Sequence, residues 1–390
     1  MFSSRVPSCL TPSALAEALA QASICHDLTA TNPTQVGFDY PVAEIRAALS
    51  APAVCTYQPE AVGPLVTRLA LVESANVRVP PERVFVTAST SESYAWLLKL
   101  LCDPGDAVAI AAPTYPLVEH LAELEGVRVQ RYLCRYDGQW YVDMESVSGC
   151  LRAGARAIVV VHPNNPTGHV LLPEQWERLR LMCAAHGAAL LVDEVFLPFG
   201  FGGAQLASVT QMPGTLNDGP LTFVLDGLSK RAGLPQVKLG WLSVGGAEGL
   251  VREACRRMSW IADAYLSVSA SAALGAPALL KLAPGLHAQI RARVAHNGSV
   301  LRTCFAATAV DVLAADGGWY GVLRVANVMP EDVLVRRLAL AYGVLVHPGF
   351  FYDFPTAGYL VVSLLPPSNL FAQAARCLRG ALDALLTAGC

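Results

Sequence analysis

The chain has 390 residues, of which 53% are hydrophobic and 15% are charged, and its formal net charge is −3. This length predicts a large core divided between about two domains. The absence of a basic run argues against a nucleic-acid partner, and the absence of an apolar stretch of about 18 residues argues against a membrane span. The eleven cysteines are scattered without a Cys-x-x-Cys pair, which predicts reduced thiols in a cytoplasmic protein and no metal site.

Short apolar runs alternate with helical patterns between about residues 84 and 260. The strand candidates, in chain order, are RVFVTA, AVAIAAP, VRVQRY, AIVVVHP, ALLVDEV, LTFVLDG and LGWLSVGG. Continuous apolar runs joined by helical segments predict an α/β fold with a mainly parallel sheet covered by helices on both faces. Ligands of such sheets bind beyond the carboxyl ends of the strands. The residues at those ends are Ser89, Tyr115, Asn165, Asp193 and Lys230.

The pattern changes after about residue 280. A long helical stretch leads to a predicted antiparallel pair in VDVLAADGGWYGVLRV, then to a helix around 330–342, the strands GVLVHP and YLVVSLL, and a terminal helix. We therefore expect a large domain over residues 50–280. Residues 1–49 and 281–390 are expected to form a smaller α+β domain.

Three segments carry polar residues out of predicted strands. VVVHPNNPTGHV ends in a turn whose Asn165 can donate a side-chain hydrogen bond; a plain strand-to-helix turn is the alternative. ALLVDEVF carries Asp193, whose carboxylate is costly to bury without a cation. A position on a surface loop is the alternative. VLDGLSKRAGLPQVKLGW sets Lys230 and Lys238 around a Gly-Leu-Pro turn between two apolar runs.

In this order and spacing, the three segments resemble the pyridoxal-phosphate aminotransferases of fold type I, the aspartate aminotransferase family. The resemblance extends from DLTATNPT to YLVVSLL, which is nearly the whole chain. It implies pyridoxal 5'-phosphate as cofactor, a small-molecule amino acid substrate, and a homodimer with shared active sites.

The resemblance also implies roles for the residues of these segments. Lys230, preceded by Ser229, would form the Schiff base with the cofactor aldehyde, and Lys238 would neutralise the cofactor phosphate. Asp193 would keep the ring nitrogen protonated by pairing with it, so that the ring acts as an electron sink. Asn165 would hydrogen-bond the phenolic oxygen. Lys230, once displaced by substrate, would move the Cα proton as general base and acid.

The phosphate is expected at the segment VTASTSES, which connects a strand to a helix. Backbone N–H groups and the helix dipole at such a position suit an anion. Ser89, Thr90 and Ser91 are the candidate donors, and Ser89 stands where the family has a glycine. Simple capping of the helix by a hydroxyl is the alternative interpretation.

Four further residues are assigned by resemblance. Tyr115 in APTYP would stack on the cofactor, or else be a core tyrosine. Tyr57 in CTYQPEAVG would reach the phosphate of the neighbouring subunit. Tyr265 in WIADAYLSVSA is a candidate for the partner's site, with helix packing as the alternative. Thr31 in DLTATNPT is a candidate on the substrate side.

Three departures from the family pattern affect the site. Phe196 occupies the place of a tyrosine that hydrogen-bonds the phenolic oxygen. Lys238 replaces an arginine, which keeps a charge but loses the bidentate geometry. Val361 stands where the family has the arginine that binds the substrate carboxylate.

Arg324 is the candidate substitute for the missing arginine. Alternation along a strand puts Tyr320, Val322 and Arg324 on one face, which would bring the guanidinium to the site if that face looks into it. The alternatives are that Arg324 pairs with a surface acid, that backbone amides near Gly349 or the Ser363 hydroxyl hold the carboxylate, or that the substrate is held elsewhere.

The sequence thus predicts an enzyme that transfers an amino group between an amino acid and a 2-oxo acid. An alternative on the same cofactor is elimination or replacement at Cβ or Cγ, with a donor such as S-adenosylmethionine, in specialised-metabolite biosynthesis. A binding module that has lost catalysis is disfavoured by the retention of Lys230, Asp193 and Asn165. A dinucleotide-dependent dehydrogenase is disfavoured because no Gly-x-Gly-x-x-Gly motif opens a helix after a strand.

Overall fold

The computed structural model describes residues 2–8, 10–50, 55–74, 78–203 and 205–387. The helices are α1 (Ala14–Ala20), α2 (Val42–Leu49), α3 (Leu65–Ser74), α4 (Thr90–Leu101), α5 (Leu117–Leu124), α6 (Met144–Arg152), α7 (Pro173–His186), α8 (Leu228–Arg231), α9 (Glu248–Tyr265), α10 (Ala270–Phe305), α11 (Glu331–Tyr342) and α12 (Ser368–Thr387). The strands are β1 (His26–Asp27), β2 (Val84–Thr87), β3 (Ala107–Ala112), β4 (Arg128–Tyr136), β5 (Trp140–Val142), β6 (Ala155–Val161), β7 (Ala189–Asp193), β8 (Thr222–Gly227), β9 (Gly240–Gly245), β10 (Asp311–Val312), β11 (Tyr320–Arg324), β12 (Val344–Leu345), β13 (His347–Pro348) and β14 (Tyr359–Ser363).

An eight-stranded sheet forms the centre of the larger part of the molecule, with strand order β2-β9-β8-β7-β6-β3-β4-β5. The central pairs β8–β7, β7–β6, β6–β3 and β3–β4 are parallel, whereas β2–β9, β9–β8 and β4–β5 are antiparallel. Strands β3, β7 and β8 are buried along their whole length, as their continuous apolar sequences predict. The prediction of a mainly parallel α/β sheet is confirmed.

The strand order reverses direction between β3 and β6. From β3 the chain proceeds to β4 and β5 on one side, and then to β6, β7 and β8 on the other. A crevice at the carboxyl ends of the strands is expected at such a reversal, and it is the usual place for a ligand. The turns after β3, β6, β7 and β8 therefore converge on one edge of the sheet.

A smaller antiparallel sheet, with order β10-β11-β14-β13, lies in the C-terminal part of the chain. It contains the antiparallel pair predicted in VDVLAADGGWYGVLRV. The run GVLVHP, predicted as one strand, instead divides into β12 and β13. Strand β12 pairs in parallel with β1, which brings the N-terminal segment against the C-terminal part. The domain boundary predicted at residue 280 falls inside α10, a helix of 36 residues.

Two kinds of feature are absent from the described ranges. No helix among these residues combines the length and apolar character needed to cross a bilayer. Nor do these residues include a cluster of three or more His, Cys, Asp or Glu side chains placed to hold a metal ion.

Candidate active site

Asp193 and Lys230 both lie at the carboxyl edge of the large sheet and attract one another electrostatically. Asp193 ends β7 and is buried. Its Oδ2 accepts a hydrogen bond from the Tyr94 hydroxyl at 3.1 Å, and its Oδ1 accepts one from the Val195 N–H at 3.1 Å. Burial raises the pKa of Asp193 to about 6 against the effect of both hydrogen bonds. Burial lowers the pKa of Lys230, and attraction to Asp193 partly offsets that shift.

Lys230 is positioned by α8, a single turn that begins where β8 ends. Its Nζ lies 5.7 Å from the centroid of the Trp319 ring, and Ser229 beside it is half-buried. The next residue, Arg231, forms a buried ion pair with Asp226 on β8. This pair holds the helix turn to the strand, so that the backbone on both sides of Lys230 is fixed.

The turn after β6 presents Asn165 to the same edge. The side chain is buried, and its Oδ1 has no hydrogen-bond partner among the described residues. The neighbouring Asn164 donates through Nδ2 to the Pro113 carbonyl at 3.1 Å and to the Thr167 hydroxyl at 2.9 Å, which fixes the turn against the loop after β3. A buried polar atom without a partner is uncommon, and this one marks a place for a polar ligand.

The predicted phosphate turn lies at the start of α4. Ser89 caps the helix, because its Oγ accepts a hydrogen bond from the Glu92 N–H at 3.2 Å, so the capping role is confirmed for this residue. Thr90 and Ser91 form the first turn and are half-buried. A Cβ at Gly240 would lie 2.7 Å from the Ser89 carbonyl carbon and 2.8 Å from the Thr90 nitrogen. Only glycine therefore allows β9 to pass so close to this turn.

Lys238 lies in the loop between α8 and β9 and is exposed. Its φ of 59° is in the left-handed region, which costs a non-glycine residue about 1 kcal/mol. A conformation of this kind in an otherwise regular loop is typical of a functional position.

Tyr115 stands at the mouth of the site and is 44% exposed. Its ring centroid is 6.5 Å from that of Phe351 and 6.3 Å from that of Tyr352. The adjacent Thr114 N–H donates to the Tyr352 carbonyl at 2.8 Å. Tyr115 is thus a surface-accessible ring held against the C-terminal part of the chain, and not the core tyrosine of the alternative interpretation.

The two residues assigned to the partner's site are exposed. Tyr57 is 81% exposed, and with Leu266 and Ser267 it lines a cavity of about 350 Å³. Tyr265 ends α9, where its ring centroid lies 5.8 Å from that of Trp96. The chain by itself does not bury either tyrosine, and their roles across a dimer stay predictions.

Tyr320 is a site residue that the sequence analysis did not assign. It begins β11 and is buried. The side chains of Asn165 and Thr31 lie near enough to its hydroxyl to lower its pKa, but burial has the larger effect and raises that pKa to about 12. Strand alternation places Tyr320 and Val322 on one face, but nothing in the local sequence shows that this face lies against Asn165.

Thr31 is held in place by β14. The Ser363 hydroxyl donates to the Ala30 carbonyl at 2.6 Å, and the Ser363 N–H donates to the Leu28 carbonyl at 2.6 Å. These bonds place the segment before Thr31 across the end of the strand. The Ser363 proton is thereby used, so this hydroxyl does not serve the carboxylate as the alternative suggested.

The structure contradicts the assignment of Arg324 to the substrate site. Arg324 is exposed at the end of β11, and its Nη2 and Nε lie 2.7 Å and 3.1 Å from Asp311 Oδ2. The alternative interpretation, a pair with a surface acid, is confirmed. Strand alternation places Arg324 on the same face as Tyr320. Arg324 lies four residues further along the chain, however, and its side chain reaches solvent. Val361 is fully buried.

Phe196 is buried among aromatic rings. Its centroid lies 5.4 Å from that of Trp319 and 6.2 Å from that of Tyr320. No hydroxyl is available at this position, and Tyr320 is the nearest tyrosine ring in the cluster.

These residues fit pyridoxal 5'-phosphate. Asp193 offers a buried carboxylate to a protonated ring nitrogen, Asn165 offers a buried amide to a phenolic oxygen, and Lys230 offers an amine of lowered pKa. The first turn of α4, a helix of twelve residues, offers N–H groups to a phosphate. The negative carboxylate of Asp193 suits a protonated nitrogen, and the amide and backbone N–H groups suit the oxygen atoms of the cofactor.

The comparisons with known proteins agree with this geometry. Residues 46–371 match the model of the family described as aminotransferase class I and II. The chain is 25% identical to an alanine aminotransferase of Mycobacterium tuberculosis over 88% of this chain and 82% of the relative. It is 26% identical to an arginine–pyruvate transaminase of Pseudomonas aeruginosa over 87% of this chain and 86% of the relative.

A solved structure shows the same fold. The alanine aminotransferase from Pyrococcus furiosus superposes with a TM-score of 0.87 at 19% identity, over 98% of this chain and 100% of that chain. The relatives named are all aminotransferases, so elimination or replacement is not favoured. The chain belongs to the class I and II aminotransferases, and it is a fold-type-I enzyme that uses pyridoxal 5'-phosphate to transfer amino groups.

Proposed function

We propose that this aminotransferase moves an amino group from an amino acid to pyruvate, and that it works as a cytoplasmic homodimer. Alanine or pyruvate appears in the names of the relatives reported above, which supports pyruvate as one member of the substrate pair. The observation that supports catalysis is the buried Asp193 within electrostatic range of Lys230 at the carboxyl edge of the sheet.

Each residue has a defined task in this proposal. When bound, the cofactor supplies an electron sink that weakens the bonds at the substrate's Cα. Asp193 would hold a proton at the ring nitrogen, and the Asn165 amide would donate to the phenolic oxygen. Burial lowers the pKa of the Lys230 amine, which favours its neutral form, and Nζ would take up the proton released from Cα.

The remaining residues bind and orient. The hydroxyls of Ser89, Thr90 and Ser91 and the start of α4 hold the phosphate, and Lys238 supplies a positive charge to it. Tyr115 covers one face of the ring. The exposed position of Tyr57 supports its use by a second copy of the chain.

The test follows alanine formation. Purified holoenzyme is mixed with pyruvate and with arginine or glutamate as donor, and alanine is measured by chromatography. Lys230→Ala should retain bound cofactor and lose at least about 10³-fold in rate. Lys281→Ala, a change at an exposed lysine, should have no effect.

Two results would contradict the proposal. One is the absence of alanine with every donor, and another is a leaving group released without alanine, which would indicate elimination. Borohydride reduction followed by peptide mapping should place the cofactor on Lys230, and a label on Lys238 would reverse the two lysine assignments. A monomer that retains full cofactor in sedimentation would refute the shared site.

A further inference from the structure

The pairing of β11 with β14 places Tyr320 beside the position of the missing arginine. Tyr320 lies opposite Ser363, and Val322 lies opposite Val361. Directly opposite residues of an antiparallel pair point to the same face, and diagonal neighbours are about 7–8 Å apart. Tyr320 and Val361 are therefore diagonal neighbours on one face. A tyrosine at position 320 can reach the space that a long side chain at position 361 would occupy.

The Tyr320 hydroxyl lies beside two polar side chains. Asn165 and Thr31 are both near enough to this oxygen to lower its pKa. The Asn165 Oδ1 has no hydrogen-bond partner among the described residues, so it does not take the Tyr320 proton. The hydroxyl hydrogen thus remains available to an acceptor on a ligand.

The ring of Tyr320 is fixed between the groups that surround the cofactor. Its centroid lies 6.2 Å from that of Phe196 and 6.3 Å from that of Tyr352. Tyr352 in turn contacts Tyr115. Because Asn165 also serves the cofactor's phenolic oxygen under the proposed function, the Tyr320 hydroxyl lies near the place of the reacting centre.

Two arginines, on α10 and β11, have other partners among the described residues. Arg293 is engaged through Nη1 with the carbonyls of Val36 at 3.2 Å and Leu365 at 3.0 Å, and Arg324 is paired with Asp311. Hydrogen bonds from a charged donor to a carboxylate are roughly twice as strong as those from a neutral donor. A neutral donor therefore distinguishes a carboxylate from an uncharged carbonyl much less than an arginine does.

We propose that Tyr320, beside Thr31 and Asn165, is the specificity-determining donor for the substituent on the substrate's Cα, and that the enzyme accepts amino acid carboxamides nearly as well as free amino acids. This inference rests on the proposed function, since it concerns the donor of the same transfer. Both kinds of substrate offer an oxygen acceptor to the hydroxyl, whereas the corresponding decarboxylated amine offers none.

The test compares three donors of one side chain in single-turnover reactions of the holoenzyme. L-arginine, L-argininamide and agmatine are mixed with the enzyme, and the change in cofactor absorbance is followed by stopped flow; L-alanine, L-alaninamide and ethylamine form a second series. The wild-type ratio of kcat/KM between acid and amide is expected to be below about tenfold. Tyr320→Phe should slow acid and amide at least about tenfold and leave the amine within about twofold.

Tyr359→Phe is the matched control, because Tyr359 lies on β14 and stacks on Phe354 at 4.3 Å instead of entering the site. It should leave all three donors unchanged. The proposal is overturned if the wild type prefers the acid by more than about 100-fold, which would reveal a cation at the site. It is also overturned if Tyr320→Phe slows the amine as much as the acid. If none of the donors alters the cofactor absorbance, it is the proposed function that fails.

Discussion

Replacing Glu331 is expected to loosen the short helical turn Gly349–Tyr352, which carries aromatic rings to the mouth of the site. The Glu331 carboxylate is buried at the start of α11. Its Oε2 accepts the Phe350 N–H at 2.9 Å, and its Oε1 accepts the N–H groups of Gly358 at 2.7 Å and Tyr359 at 2.9 Å. One side chain therefore satisfies three backbone donors from two segments.

The magnitude follows from these three bonds. A hydrogen bond to a charged group contributes about 1.5–3 kcal/mol, and bonds that share one carboxylate are not additive. Glu331→Ala should lower the free energy of unfolding by about 4 kcal/mol. Glu331→Gln should lower it by about 2 kcal/mol, because the amide keeps one oxygen for Gly358 and Tyr359 but turns an NH₂ group toward the Phe350 N–H.

Urea unfolding of the apoenzyme measures these differences. The control is Asp332→Ala, which removes the adjacent and exposed acid from the same helical turn. This change should cost less than about 1 kcal/mol, the contribution of a charge near the helix dipole. Since the turn supports Tyr352, KM for the amino donor should rise in both Glu331 variants. If Glu331→Ala and Asp332→Ala destabilise the protein equally, the three hydrogen bonds do not stabilise the segment as argued.

Three further predictions concern the site and its surroundings. Phe196→Tyr should shift the pH-dependent absorbance transition of the bound cofactor to lower pH, because the new hydroxyl would stabilise the phenolate; a spectroscopic titration without a shift would show that another donor already serves that oxygen. Burial raises the pKa of Asp193 from 3.8 to about 6, so the folded apoenzyme binds this proton more tightly than the unfolded chain. The resulting stabilisation is fully present below pH about 4 and is lost as pH rises through about 6, by at most about 3 kcal/mol. Asp193→Asn should remove this component from a plot of apoenzyme stability against pH, and an unchanged slope would contradict the buried position. Arg324→Leu should leave kcat/KM for the amino donor unchanged, and a loss of about 3 kcal/mol in transition-state stabilisation would return Arg324 to the site.

The sequence by itself determined the central sheet and the residues at its carboxyl edge. Strands β3, β6, β7 and β8 are continuous apolar runs, and such runs separated by helices have few arrangements other than a covered parallel sheet. Once the sheet is parallel, residues that follow its strands must converge on one edge. Asp193 ends β7, and Asn165 and Lys230 lie within a few residues of the ends of β6 and β8, so their meeting could be predicted from local sequence alone.

Only the tertiary structure decided how the substrate side is built. Tyr320, Asn165 and Thr31 come from three segments far apart in the chain, and they meet because β11 pairs with β14 in one register and β14 holds the N-terminal segment. The register also sends Arg324 to solvent beside Asp311. A strand's alternation fixes which side chains share a face, but it does not fix what that face meets. That is set by pairing between distant segments, where the free energy depends on packing and hydrogen bonds that no local pattern records.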